Sequence, residues 1–327
     1  MCYARRAMRT FALAWIPLAW MLLLLPGCCS SCGCGSAAPR AGGPTPYARC
    51  AIAEAPAPRQ ARVGDLTLRL EGRELAIEGL PETFPVAIAR GPAPFRAPIG
   101  PALSTLAGSG VRLAIVLGSL GDDEATTIET VAALAELTVP TLILAGGRDD
   151  PGHLRAALDA LGEGARDRVI DVSALRRVRL GPALVLVPAP GAPEGRYARG
   201  DSTCGIGEDD LEQIAGELGE PGDELRILLS WAAPAGSPAA LGIEGGDAGS
   251  ATIAALISAI HPRGALVGWP ESHAGRVLGE GADRVAVAPA LSGPALVRAD
   301  GSLAPSTPLV LELGPGGIGT ATAPDSP

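Results

Sequence analysis

The sequence predicts an α/β layered domain. Short apolar runs recur from Phe84 onward, at Val86 to Ala89, Val111 to Leu117, Thr141 to Ala145, Ala183 to Val187, Ile227 to Leu229 and Ala265 to Val267. Each ends in a cluster of glycine, serine or proline, and several are followed by amphipathic segments. Strands that alternate with helices stack as layers around a sheet buried on both faces. Roughly 240 residues are long enough for one domain with a substantial core.

The chain opens with Arg5, Arg6 and Arg9, followed by the uncharged stretch Phe11 to Leu25. Fifteen residues fall short of the roughly 20 that a spanning helix needs, so this reads as a leader, whether translation starts at Met1 or Met8. The sequence Leu25-Pro26-Gly27-Cys28 resembles the lipobox of bacterial lipoproteins. That resemblance implies cleavage after residue 27, acylation of Cys28 (a palmitate-type lipid) and a soluble body tethered to the membrane at the periplasmic face of the cell envelope. Cys29 stands where inner-membrane lipoproteins carry aspartate, which favours the outer membrane.

Residues 28–62 are rich in Ala, Pro, Gly and Ser without hydrophobic period, and read as a flexible linker. Residues 63–80 alternate at period two, with Leu66 to Leu70 and Leu75 to Ile77 flanking Glu71-Gly72-Arg73, and predict a β-hairpin. The main domain is expected over 84–313. Its helices are predicted at Asp123 to Leu137, Pro151 to Leu161, Asp209 to Leu218 and Ala251 to Ile260. Beyond Gly279 the strands Arg284 to Ala288, Ala295 to Arg298 and Leu309 to Leu313 predict an antiparallel finish, and 314–327 a flexible tail. Gly314 to Gly319 fits G-x-G-x-x-G but precedes no helix, so no dinucleotide site follows. Gly200-Asp201-Ser202 resembles a serine-hydrolase block but follows no clear strand.

Composition excludes several activities. The net charge of −9 becomes −12 once the three leader arginines are removed, which disfavours nucleic acid as a partner. All 26 basic residues are arginine, so neither a Walker-type phosphate loop nor Schiff-base chemistry is available. Of the seven cysteines, Cys2 belongs to the leader, Cys28, Cys29, Cys32 and Cys34 crowd at the lipobox, and only Cys50 and Cys204 lie further out. They form a disulfide in an oxidising compartment, or are two unrelated thiols. Cys32-x-Cys34 has no histidine or second cysteine pair at metal-ligand spacing.

In open α/β sheets ligand sites gather at the carboxyl ends of strands. The turns Val116 to Asp122, Leu144 to Asp149, Leu228 to Pro234 and Leu266 to Glu271 resemble, in order and spacing, the successive motifs of calcineurin-like metallophosphoesterases. The resemblance spans Phe84 to Leu313 and implies a four-layer α-β-β-α sandwich. That family holds two divalent metals with hard oxygen and imidazole donors. Here Gly118, Asp122, Gly146, Asp149 and Gly268 keep the motif frame. The ligand positions do not survive. The opening Asp-x-His falls at Arg90 and Pro92. The bridging aspartate is Ser119, and the asparagine and histidine of the third motif are Gly147 and Arg148. The later histidines become Trp231, Trp269 and Glu271. The chain has three histidines and no asparagine, so no change of register rebuilds the set.

The expected function is therefore that of a non-catalytic pseudoenzyme without cofactor, which binds or scaffolds an envelope protein or glycan. Two alternatives stand beside it. Asp122, Asp123, Asp149 and Asp150 could assemble a new divalent-cation site with Glu271 and His273 and give a divergent phosphoesterase, or could simply cap helices and turns. Trp231 and Trp269, the two tryptophans outside the leader, could form a stacking platform for a glycan, or plug a disused cavity. His153 and His261 are placed on helix surfaces.

Overall fold

The computed structural model describes residues 56–322, apart from 95–97, 194–196, 199–202, 204, 221, 294–296 and 305. The leader, Cys28, most of the linker, Cys50, Cys204 and the Gly200 to Ser202 block lie outside the described residues.

Three strands come first: β1 (Arg59–Val63), β2 (Leu66–Glu71) and β3 (Glu74–Glu78). β2 and β3 are the expected hairpin, with Leu70 opposite Leu75. Order begins earlier than composition suggested, because Arg59 to Val63 pairs antiparallel with β2, so 59–62 belong to the sheet rather than to the linker. Then follow β4 (Phe84–Ala89), α1 (Gly100–Gly108), β5 (Leu113–Leu117), α2 (Glu124–Leu134), β6 (Thr141–Leu144), α3 (Pro151–Asp159), α4 (Glu163–Arg166), β7 (Val169–Asp171), β8 (Arg177–Leu180) and β9 (Leu184–Ala189). The chain continues through α5 (Glu208–Leu218), β10 (Leu225–Ala232), α6 (Ala251–Ile260), β11 (Ala265–Trp269), β12 (Arg276–Leu278), β13 (Val285–Val287), β14 (Leu309–Gly314) and β15 (Gly317–Thr322).

Among the described residues these strands form two sheets. One runs β1-β2-β3-β8-β9-β10-β11-β13-β12 and the other β15-β14-β4-β5-β6-β7. The runs β4-β5-β6-β7 and β9-β10-β11-β13 and the β3-β8 pair are parallel, whereas β1-β2-β3, β8-β9, β13-β12 and β15-β14-β4 are antiparallel.

Burial of both strand faces explains why the strands are apolar on alternate and intervening positions alike. In β5, Leu113, Ile115 and Leu117 point into a core shared by the two sheets, where they join Leu186, Ile227, Leu229 and Leu266. Ala114 and Val116 point the other way, onto Leu103 and Leu106 of α1, Val131 and Leu134 of α2 and Leu154 of α3. On the opposite sheet Val185, Leu228 and Val267 meet Leu211 and Ile214 of α5 and Ile253 and Leu256 of α6. Helices, sheet, sheet and helices thus make four layers around three apolar cores.

The antiparallel finish is partly as expected. β14 pairs antiparallel with β4, whereas β13 joins β11 in parallel. The segment 314–327 is not a flexible tail throughout: Gly317 to Thr322 returns alongside β14 with Gly314 opposite Gly317, and Ile318 is buried. The Gly-Pro-Gly-Gly run that looked like a terminal loop is the turn of this hairpin, with Gly317 in the left-handed region at φ 88°. His261 is not on a helix face; it caps α6 at φ 48°.

Candidate functional site

Two strand-end loops of the smaller sheet are fastened together by one carboxylate. β5 delivers Gly118 and Ser119, both left-handed with φ of 68° and 61°. β6 delivers Gly146 to Asp149. Asp149 is buried, and its Oδ1 accepts the Leu120 amide at 2.8 Å while Oδ2 accepts those of Ser119 at 3.0 Å and Gly146 at 2.7 Å. Burial pushes this carboxyl up to about 6, against the downward pull of the three amides. Left-handed serine costs about 1–3 kcal/mol, and the bond to Asp149 holds it there. At the end of β4, Arg90 bridges to the other sheet: its amide donates to the Pro289 carbonyl and its carbonyl accepts from Leu291.

The larger sheet contributes Trp231 from β10, Trp269 from β11 and Glu271 from the 3-10 turn Glu271–His273. Trp231 is buried, with its ring wedged between the loops of both sheets. A Cβ on Gly146 would lie 2.6 Å from its Cε3 and one on Gly268 2.8 Å away, so both motif glycines are needed where the ring sits. The Arg90 side chain is 1% exposed and its Nη2 lies 2.6 Å from Glu271 Oε1. Its Nε has no hydrogen-bond partner. Desolvation lowers the guanidinium's pKa and neighbouring Arg148 adds to this, while Glu271 opposes. Arg148 Nη1 reaches Asp122 Oδ1 at 3.5 Å. Arg90, Arg148, Tyr197, Trp231, Trp269 and Glu271 line a cavity of about 180 Å³. Tyr197 donates its hydroxyl to the Ala248 carbonyl at the cavity's edge.

Five of the sequence-predicted positions therefore meet in one place. Three do not. Pro92 lines a neighbouring cavity of about 360 Å³ together with Asp122. Ser119 is buried with its Oγ unpartnered, and Gly147 lies against Tyr197, where a Cβ would be 2.3 Å from that residue's carbonyl oxygen. Tyr197 was missed. Its signal was rarity, since it is the one tyrosine of the chain beyond Tyr47.

The residues present do not fit a dinuclear metal centre. An indole and two guanidiniums supply no donor to a hard dication, and the guanidiniums repel one. The carboxylates offered for a replacement site are not gathered either. Asp122 faces Arg148, Asp123 caps α2 through the Thr126 amide at 2.8 Å, and Asp150 caps α3 through the Gly152 amide at 2.6 Å. Asp149 is held by its three amides, and Glu271 by Arg90. His273 is buried, which lowers its pKa. Among the described residues no three His, Cys, Asp or Glu side chains converge as a metal site would require.

Fold and site together define a two-sheet α/β sandwich with an arginine- and tryptophan-lined cavity at its strand ends. A solved crystal structure aligns over 71% of this chain and 95% of its own at 16% identity, with a TM-score of 0.52, a likeness of fold alone. TT1561 of Thermus thermophilus aligns over 64% and 91% at 18% identity, with a TM-score of 0.48. GAP50, the anchor in the inner membrane complex of Plasmodium, aligns over 73% and 83% at 12%, with a TM-score of 0.42. Neither of these two adds to the argument. No protein-family model and no curated relative matches the sequence.

Proposed function

We propose that this chain is a non-catalytic binding protein of the cell envelope, tethered through lipid on Cys28 and built on a metallophosphoesterase-like sandwich that has lost its dinuclear metal site. The observation that carries the reading is Trp231. Its ring fills the space between Gly146 and Gly268, on the motif turns that would surround the metals, while Arg90 and Arg148 bring cationic charge to the same end of the sheets. A cation there would face two guanidiniums at close range in a poorly solvated pocket.

Metal content after refeeding with Mn, Fe, Zn, Mg and Ca tests the reading, together with turnover of phosphomonoesters and phosphodiesters. The expected result is less than one ion per chain and no turnover. Two tightly held ions, or metal-dependent hydrolysis abolished in Asp149→Ala but not in a surface control, would instead support a divergent phosphoesterase.

No helix of the described residues is long and apolar enough to cross a membrane; the membrane partnership proposed here is through the lipid on Cys28. Mass spectrometry of the membrane-extracted protein tests this directly. The expected product begins at Cys28 and carries acyl mass, and an intact unmodified N-terminus would overturn the assignment.

A further inference from the structure

We infer that the cavity between Arg90, Arg148, Trp231 and Trp269 binds a single six-membered ring bearing a carboxylate and several hydroxyls, a sugar acid of the uronate kind. The inference deepens the non-catalytic reading proposed above and rests on it.

Size comes first. A cavity of about 180 Å³ slightly exceeds the roughly 150 Å³ cavity that admits benzene, so one ring with a substituent fits and a disaccharide does not. Charge comes second. Arg90 is almost wholly buried; Glu271 meets it at Nη2, and its Nε is left without a partner. A buried donor without a partner is costly, and a ligand oxygen placed there would remove that cost. Arg148 is 22% exposed on the same cavity and is engaged by Asp122 at 3.5 Å, which leaves the rest of its guanidinium fork available to the second oxygen of a carboxylate. Glu271 is an acceptor within the same lining, and its side chain is 24% exposed. An aromatic acid would bury Glu271 against carbon, whereas hydroxyls donate to it. Aromatic walls supply the rest of the surface: Trp231 buried behind, Tyr197 fixed by its bond to Ala248, and Trp269 partly exposed. Sugar rings, apolar on their C–H faces and polar at their edges, suit such walls.

The test is calorimetric titration of the full chain with glucuronate, glucose, benzoate and inorganic phosphate. Glucuronate is expected to bind at least tenfold more tightly than each of the others. Glucose binding equally would remove the role of the arginines, benzoate binding equally would remove that of Glu271, and phosphate binding equally would mean a bare oxyanion site; each overturns the inference. Arg90→Gln strands Glu271 and risks misfolding, so Arg148→Gln and Trp269→Ala, on partly exposed side chains, are the variants to use. Each is expected to weaken glucuronate at least tenfold with an unchanged thermal midpoint, and unchanged affinity in both would overturn the site. If glucuronate fails to bind while metal and turnover are also absent, the ligand class fails and the non-catalytic reading stands. If metal is retained, that reading fails first.

Discussion

Asp149 shows how much one side chain can hold. Its two oxygens take three amides from two loops, and those loops carry Ser119, Gly147 and Arg148. Truncation to alanine would orphan buried donors, each worth about 1–3 kcal/mol, so Asp149→Ala is expected to destabilise by about 3 kcal/mol or more in urea titration. A loss below 1 kcal/mol would mean that water replaces the carboxylate. The same group makes a pH prediction. Its native pKa of about 6 exceeds the ordinary 3.8, so between these values the folded state keeps a proton that the unfolded state has released. Stability from this group is therefore fully present below about pH 4 and falls as pH rises to about 6, by up to about 3 kcal/mol at about 1.4 kcal/mol per unit. The difference in unfolding free energy between wild type and Asp149→Ala should shrink across that window and stay flat above it. Of these residues, the motif frame was legible in the sequence because strand-end spacing is rigid. Tyr197 was not, since it arrives from a loop whose path no local pattern dictates.

At the scale of elements, helix ends and sheet edges decide what is firm. Helix α5 ends where Arg226 donates to the carbonyls of Leu218, Gly219 and Glu220 while pairing with Glu224. Arg177 donates to the Leu218 carbonyl as well. Two cations at the carbonyl end oppose its partial negative charge. Arg226→Ala should cost about 2–4 kcal/mol and speed amide exchange in the last turn of α5, with the interior of α6 little changed. Uniform exchange across both helices would mean that Arg226 acts through the sheet instead. The six runs that open the domain were readable as strands because each is buried on both faces. β1, β8 and β12 were not, being short pieces with mixed polarity, the first and last of them sheet edges, and α1 was obscured by glycine and proline at its start. β15 was hidden by a glycine-rich composition that reads as tail. Deleting 317–327 tests the difference: it strips β14 of a partner and exposes Ile318's seat, so the midpoint should fall by the equivalent of about 2 kcal/mol or more. A neutral deletion would restore the tail reading.

Across the whole molecule, the two parallel sheet centres turn their carboxyl ends to one side, where Arg90 also links the sheets through Pro289 and Leu291. That convergence was legible from strand order alone. The sequence left open whether Trp231 plugs a cavity or forms a platform, and it gave no sign that the Tyr197 segment packs against Gly147. Trp231 occupies the gap between Gly146 and Gly268, and the Tyr197 carbonyl lies where an asparagine's Cβ at 147 would need to be. Introducing single ligand residues therefore should not create a metal centre. Gly147→Asn sets a Cβ 2.3 Å from backbone, which cannot rotate away, and overpacking of this kind costs about 1–3 kcal/mol. Trp231→His empties a buried aromatic site, a loss on the order of 3 kcal/mol. The double variant is expected to be less stable than wild type by roughly the sum, to the extent that two residues so close act independently, and to retain no manganese after refeeding. A double variant as stable as wild type that holds stoichiometric manganese would show that the Tyr197 segment yields and that a metal site lies two substitutions away.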